Sequence, residues 1–366
     1  MKSKLINKIK TNKRLKSNLI TFGMVVFTYI LMEILMAAGV VSSLLKGLLV
    51  PLCIYAILAV SLNLTVGILG ELSLGHAGFM CVGAFSGAFF SKCMQDAIPI
   101  AGVRFTLALL IGALCAGLFG LLIGIPVLRL KGDYLAIVTL AFGEIIKNII
   151  NILYVGIDEN GFHFSTKSSL ELNLSENGKI IIQGAQGITG TPNDSTFTIG
   201  ILLLLITLII VLNLINSRDG RAIMAIRDNT IAAESVGINI TKYKLMAFSI
   251  SAALAGVAGV LYAHNLSTLT ALPKNFGYNM SIMILVFVVL GGIGNIRGSV
   301  IAAVILTLLP ELLRGLNDYR MLIYAVVLIV MMLFNWAPAC IKWREKMTYK
   351  IKSRFSPKKI KDGKEA

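Results

Sequence analysis

Few residues of this 366-residue chain have the type and spacing for chemistry. Glu144 and Lys147 stand three apart in an apolar run, the spacing of an ion pair on one helix face. A carboxylate in such a run is costly to bury, so it needs a partner or a wet cavity. The two residues read either as a packing pair, beside Asn148 and Asn151, or with Glu144 lining or gating a pathway. His76, within Ser73-Leu-Gly-His-Ala-Gly-Phe, reads as a helix-to-helix hydrogen bond or as a ligand contact. Gly291, Gly292, Gly294 and Gly298 either let two helices approach closely or mark a broken helix whose bare backbone meets a substrate.

Other chemistries lack their residues. His76, His163 and His264 are scattered, so neither a metal site nor a membrane-embedded enzyme is expected, and no catalytic residue is assigned. The five cysteines are odd in number and none has CxxC spacing, which leaves neither a disulfide framework nor a zinc site. No GxxxxGK[ST] phosphate loop occurs, so any ATP must be handled by another chain.

One polar segment stands out, residues 217–242. Its centre is Ala232-Ala233-Glu234-Ser235-Val236-Gly237. Small helix formers, then glycine, then Ile238 and Ile240 predict a short helix, a turn at Gly237 and a second short helix. The pattern fits a peg gripped by a partner protein. It fits equally an amphipathic connector lying on a membrane.

The elements that position these residues are apolar. Mean hydropathy is +0.82 and only 14 % of residues are charged, against about a quarter in a soluble domain. A membrane helix needs roughly 20 mostly apolar residues. Runs of that kind fall at 19–41, 46–66, 71–92, 104–127, 134–155, 197–216, 243–264, 279–294, 299–315 and 320–336. The expected fold is therefore all-α and polytopic, with about ten transmembrane helices. The first run is too long for a signal peptide and reads as a retained span. The third and eighth runs are glycine-rich, which leaves open whether they span fully.

Charge orients these runs. Residues 1–18 hold seven Lys or Arg and no acid, and residues 337–366 hold ten against three acids. The net charge of +16 thus flanks membrane spans and fits the positive-inside rule rather than nucleic-acid binding. Segment 156–196 has five acids and two Lys, which predicts an extracytoplasmic loop. Segment 217–242, with Arg218, Arg221, Arg227 and Lys242, predicts a cytoplasmic one. The division is a basic cytoplasmic tail over 1–18, a transmembrane domain over 19–336, and a second basic cytoplasmic tail over 337–366. Two sets of five spans would form an inverted 5+5 repeat.

The cytoplasmic segment resembles the coupling loop of bacterial ABC importer permeases, in which Glu-Ala-Ala is followed by three residues and then Gly. Ala232, Ala233 and Gly237 match, and Ile231 stands at the Glu position. A wider likeness is specific to the M-type, LivM-like permeases of branched-chain amino-acid importers. It is carried by Leu62-Asn-Leu-Thr-Val-Gly through Gly70-Glu-Leu-Ser-Leu-Gly-His-Ala-Gly-Phe, by Tyr134-Leu-Ala-Ile-Val-Thr-Leu-Ala-Phe-Gly-Glu-Ile, and by Gly187-Ile-Thr-Gly-Thr-Pro. Arg227-Asp-Asn-Thr-Ile-Ala-Ala-Glu-Ser-Val-Gly-Ile and Val289-Leu-Gly-Gly-Ile-Gly-Asn-Ile-Arg-Gly-Ser complete it, in consistent order over roughly 45–336.

The resemblance implies a permease subunit in a bacterial cytoplasmic (inner) membrane. It would import leucine, isoleucine or valine beside an H-type permease, two ATPases that hold ATP-Mg, and an extracytoplasmic binding protein. Ala232, Ala233, Glu234, Ser235 and Gly237 would couple to the ATPases. Glu144, His76, Gly291, Gly292 and Gly294 are the pathway candidates. Urea and short-amide permeases share much of the pattern, and a self-sufficient secondary amino-acid transporter is the alternative from another class.

Overall fold

The computed structural model describes residues 2–336 except 40, 131, 160, 176, 177 and 314–318. The tail expected over 337–366 lies outside the described residues. Helix α1 (Lys2–Ala37) is followed by α2 (Ser43–Asn63), which continues as a π-helical segment, Leu64–Leu69. Next come α3 (His76–Cys93), α4 (Ala101–Val127) and α5 (Asp133–Ile152). After a stretch that carries strands come α6 (Phe197–Asn216), α7 (Arg218–Asp228), α8 (Thr230–Ser235) and α9 (Ile240–Ala263). The chain continues through α10 (Pro273–Phe276), α11 (Tyr278–Gly291), α12 (Ile296–Leu312) and α13 (Arg320–Trp336).

Among the described residues, seven helical stretches are long and apolar enough to cross a membrane. They are Asn18–Ala37, Ser43–Leu69, Ala101–Val127, Asp133–Ile152, Phe197–Asn216, Ile240–Ala263 and Pro273–Gly291. Helix α3, with 18 residues, and α12 and α13, with 17 each, underlie the other three apolar runs. At 1.5 Å per residue, 17 residues reach about 26 Å, short of the roughly 30 Å of hydrocarbon. Rows of exposed large apolar side chains, such as Leu114, Leu118 and Leu122 on α4 and Ile145, Ile149 and Ile152 on α5, would meet lipid tails rather than water. The chain is a multi-pass membrane protein.

Helix α9 is the centre of the bundle and packs along α4, α3 and α2. Its Ala252, Ala255 and Ala258 are buried, and such small side chains allow backbones to approach closely. Hydrophobic burial does not drive helices together in lipid. Close van der Waals packing and interhelical hydrogen bonds do. One such bond runs from Ser251 Oγ of α9 to the Ser61 carbonyl of α2, at 2.6 Å. Contacts divide the chain after Ile305. The described part beyond it holds the end of α12 and all of α13, whose Leu322, Val326, Ile329 and Leu333 are exposed along one face.

Several expectations need correction. The fold is not purely α. Strands β1 (Tyr154–Asp158), β2 (Gly161–Ser165) and β3 (Lys179–Gln183) form an antiparallel sheet in the order β2-β1-β3. Strands β4 (Ile188–Thr189) and β5 (Thr268–Leu269) pair separately. The aromatic and β-branched residues of Gly161-Phe-His-Phe and Lys179-Ile-Ile-Ile suit a pleated surface.

The first helix begins at Lys2, so the N-terminal basic stretch is helical and runs straight into the first apolar run. The third helix begins at His76, not at 71, because Gly70 adopts φ +83° and ends the preceding helix. The eighth ends at Gly291, where Gly292 (φ +96°) and Gly294 (φ +80°) turn the chain into α12.

Candidate functional site

Three side chains start the helices around the polar segment 217–242. Ser217 Oγ accepts from Gly220 N at 3.0 Å, Asn229 Oδ1 from Ala232 N at 3.0 Å, and Asn239 Oδ1 from Lys242 N at 3.0 Å. Each satisfies a backbone N–H that a helix start leaves free. The chain breaks at Asn229, which separates α7 from α8. Gly237, at φ +83°, donates to Glu234 O at 2.9 Å while Ile238 N donates to Ala233 O at 3.1 Å. That left-handed turn closes α8. The expected second short helix after Gly237 is instead the start of the long α9. The short pair is α7 with α8.

The exposed and buried faces of this element are distinct. Ala232, Glu234, Ser235 and Gly237 are exposed, as a docking surface requires. Ala233 is not; it is 3 % exposed and packs inward. The most prominent apolar side chains here are Ile231 and Val236, 81 % and 75 % exposed. Opposite them, Ile223 of α7 is fully buried against Leu64, Ile68, Leu69 and Ala247. The element is therefore seated on the π-helical end of α2.

Polar contacts fix that seat. Arg227 Nη1 donates to Gly67 O at 2.9 Å, and its aliphatic stem lies over Gly70. Nε and Nη2 of Arg227 also donate to Asp228 Oδ1 at 3.1 and 3.0 Å. Lys244 of α9 pairs with Glu71, and both side chains are at most 15 % exposed. On the other side of the π segment, Gly67 touches the backbone of Gly294 so closely that a Cβ there would overlap it. Asn63 bridges the same pair of elements. Its Oδ1 accepts from Gly294 N at 2.8 Å, and its Nδ2 donates to Ser299 Oγ at 2.7 Å.

The expected pathway residues sit in protein contacts. Glu144 Oε1 accepts from Tyr278 N at 2.8 Å, and its other oxygen pairs with Lys147. The preceding Gly277 offers no capping side chain, so Glu144 of α5 caps α11 across helices and places negative charge at a helix N-terminus. His76 is 2 % exposed, and its Nε2 lies 2.7 Å from Ser61 Oγ. That hydroxyl donates to Leu58 O at 2.9 Å, so the imidazole Nε2–H is the donor between the two. This is the helix-to-helix reading of His76.

His264 is the reverse case, with Nδ1 2.9 Å from Val260 O and Nε2 2.8 Å from Ser91 Oγ. Nδ1–H donates to the carbonyl and Nε2 accepts from the hydroxyl. Gly291 packs on Gly298 across the α11–α12 turn, and Gly294 packs on Gly67. These glycines meet backbone of their own chain.

The opposite end of the bundle carries the strands. Lys92 donates to Thr189 O and Thr191 donates to Leu266 O, which tie α3 and the β4–β5 pair together. Arg104 Nη2 lies 3.4 Å from Asp194 Oδ2, and Nη1 donates to Ile98 O at 3.2 Å. Lys179 reaches Asp96 at 2.8 Å, and this hydrogen bond and charge hold the exposed Asp96 carboxyl below its usual range. Between α3, α4, α5 and the sheet lies an apolar cavity of about 440 Å³, with Phe85, Phe89, Phe119, Ile149, Phe162 and Ile182 in its walls. The Ser86 hydroxyl beside it is spent on Val82 O and Gly83 O, so the cavity offers apolar surface only.

Sequence reasoning missed the contacts that Arg227, Asn63 and Ser299 make. Their roles depend on partners 160 and more positions away, which no local pattern reveals.

Comparison with known proteins places this architecture. A family model described as branched-chain amino acid transport system, permease component, matches residues 44–334. The high-affinity branched-chain amino acid transport system permease protein LivM of Salmonella typhimurium is 36 % identical over 309 residues, covering 82 % of this chain and 70 % of that protein. LivM of Escherichia coli is 36 % identical over 294 residues, covering 78 % and 67 %. The LivH permease of S. typhimurium is 23 % identical over 283 residues, covering 76 % and 88 %. No solved structure matches. With most of its length matched, this chain belongs to the permease family of branched-chain amino-acid transport systems.

Proposed function

We infer that this chain is the transmembrane permease subunit of an ATP-binding-cassette importer for leucine, isoleucine or valine, and forms half of the translocation pathway. One observation carries the reading beyond the family match. Helices α7 and α8 are anchored on the bundle through Ile223 and Arg227 while Ile231 and Val236 project outward. A rigid peg of this kind can be gripped and moved. The partners in this reading are an H-type permease, two ATPases that hold ATP-Mg, and an extracytoplasmic binding protein. Ile231, at the position of the usual Glu, makes the grip on the ATPase apolar rather than ionic.

The topology in this reading has ten spans in a bacterial inner membrane. The basic tails and segment 217–242 face the cytoplasm, and 156–196 with its sheet faces outward. The charge asymmetry of the two segments supports it.

Cross-linking tests the orientation and the docking together. A cysteine at Val236 should cross-link to the ATPase in the assembled complex and resist impermeant thiol reagents added outside intact cells. Labelling from outside, with no cross-link, would overturn the assignment.

A further inference from the structure

The end of α2 is not an ordinary helix terminus. Its last turn is π-helical over Leu64–Leu69, and a π turn closes five residues where an α turn closes four. Such turns occur as single bulges, frequently at functional sites. Here Thr65 O accepts from both Gly70 N and Glu71 N. Gly67 O, left without a helical donor, accepts from Arg227 instead. A side chain of the docking element thus completes the hydrogen bonding of a transmembrane helix end.

Gly67 has a second neighbour. Its α-carbon rests on Gly294, and a side chain there would collide with Gly294 N and Asn63 Oδ1. Asn63 holds Gly294 N and Ser299 Oγ, and Ser299 Oγ donates to Asn295 O at 3.3 Å. One continuous set of contacts therefore runs from α7 through the π segment to the turn between α11 and α12. The lever end is charged and the far end is a backbone turn built from two left-handed glycines, Gly292 and Gly294.

We propose that Arg227 transmits motion of the α7–α8 pair to the Gly292–Asn295 turn by holding the Gly67 carbonyl, so that the π segment acts as the link between the ATPase-docking element and the turn that joins α11 to α12. This rests on the importer reading above. Arg227 is a positioning residue; it acts through Gly67 and Asn63 and touches no substrate. Lys244 with Glu71 anchors the loop beyond the link and keeps it from following α7 freely.

The test is the ratio of leucine taken up to ATP hydrolysed, in proteoliposomes holding the complete complex. A purely structural defect lowers both quantities together. In the complexes that assemble, Arg227→Met should lower uptake per ATP hydrolysed about tenfold, the scale of a lost hydrogen bond to a charged donor. Arg227→Lys, which keeps a charge but loses the fork, should fall between. Ser299→Ala deletes one hydroxyl at the far end and should lower the ratio as well; it carries the test if Arg227→Met assembles poorly.

Because the two lie on one path, the double variant should be no worse than Arg227→Met alone. The wild-type complex, run in parallel, checks the importer reading separately. Beside a working wild type, an unchanged ratio in Arg227→Met, or multiplied losses in the double variant, would overturn the transmission role.

Discussion

The Glu144 carboxylate caps the first residue of another helix, accepting from Tyr278 N at 2.8 Å, while it neutralises Lys147 on its own. The acid that stood out in the sequence as a pathway candidate is thus held between two protein groups. The Lys147 side chain is 6 % exposed, and Glu144 is the acid paired with it. Glu144→Gln should destabilise the protein by about 3 kcal/mol, the scale of a buried pair that loses one partner. The double variant Glu144→Gln with Lys147→Gln should recover most of that loss. Thermal melting in detergent checks both. A single variant that melts like wild type yet loses uptake would place Glu144 in the pathway.

Gly237 closes α8 in the left-handed region and donates its N–H to Glu234 O. Proline fixes φ near −65° and has no N–H, so Gly237→Pro removes both features. Uptake should be lost while insertion and amount in the membrane stay normal. Gly237→Asn, which tolerates positive φ, should keep most activity. Transport assays paired with immunoblots of membrane fractions would check this. Normal uptake in the Pro variant would remove the coupling role of the turn.

Gly291 and Gly298 pack backbone to backbone, and a methyl on Gly291 would overlap the Gly298 carbonyl. Gly291→Ala should therefore cost about 2 kcal/mol or more through overpacking. A substrate contact would show otherwise, as an altered KM for leucine in a protein of unchanged melting temperature.

Lys244 and Glu71 form a nearly buried pair between α9 and the loop ahead of α3. Lys244→Ala leaves a carboxylate without a counter-charge and should lower the melting temperature. The exchange Glu71→Lys with Lys244→Glu should restore part of it. If neither single nor double variant changes the melting temperature, the pair contributes nothing to the fold.

The helices were legible because lipid demands long apolar runs, and each expected run holds a helix. Their ends were less so. The helix before His76 runs on to Leu69 because a π turn and Gly70 place the break later than composition implies. The strands escaped notice because none exceeds five residues and they lie in a polar stretch whose alternation is too short to read. The polar segment 217–242 was recognisable by its residue types, yet the inward face of Ala233 was not, since six residues of α8 are too few for a face to be assigned. Arg227 carried no signal of its role, because the group it serves is a backbone carbonyl freed by helix geometry elsewhere.

The most direct test of the importer reading is uptake of labelled leucine into vesicles that hold this chain with its permease partner, ATPases and binding protein, each omitted in turn. The account predicts uptake that requires ATP and every component. Assembly-dependent ATP hydrolysis with urea or a short amide taken up in place of leucine would contradict the substrate assignment. Uptake by this chain alone under an ion gradient would contradict the account at its centre.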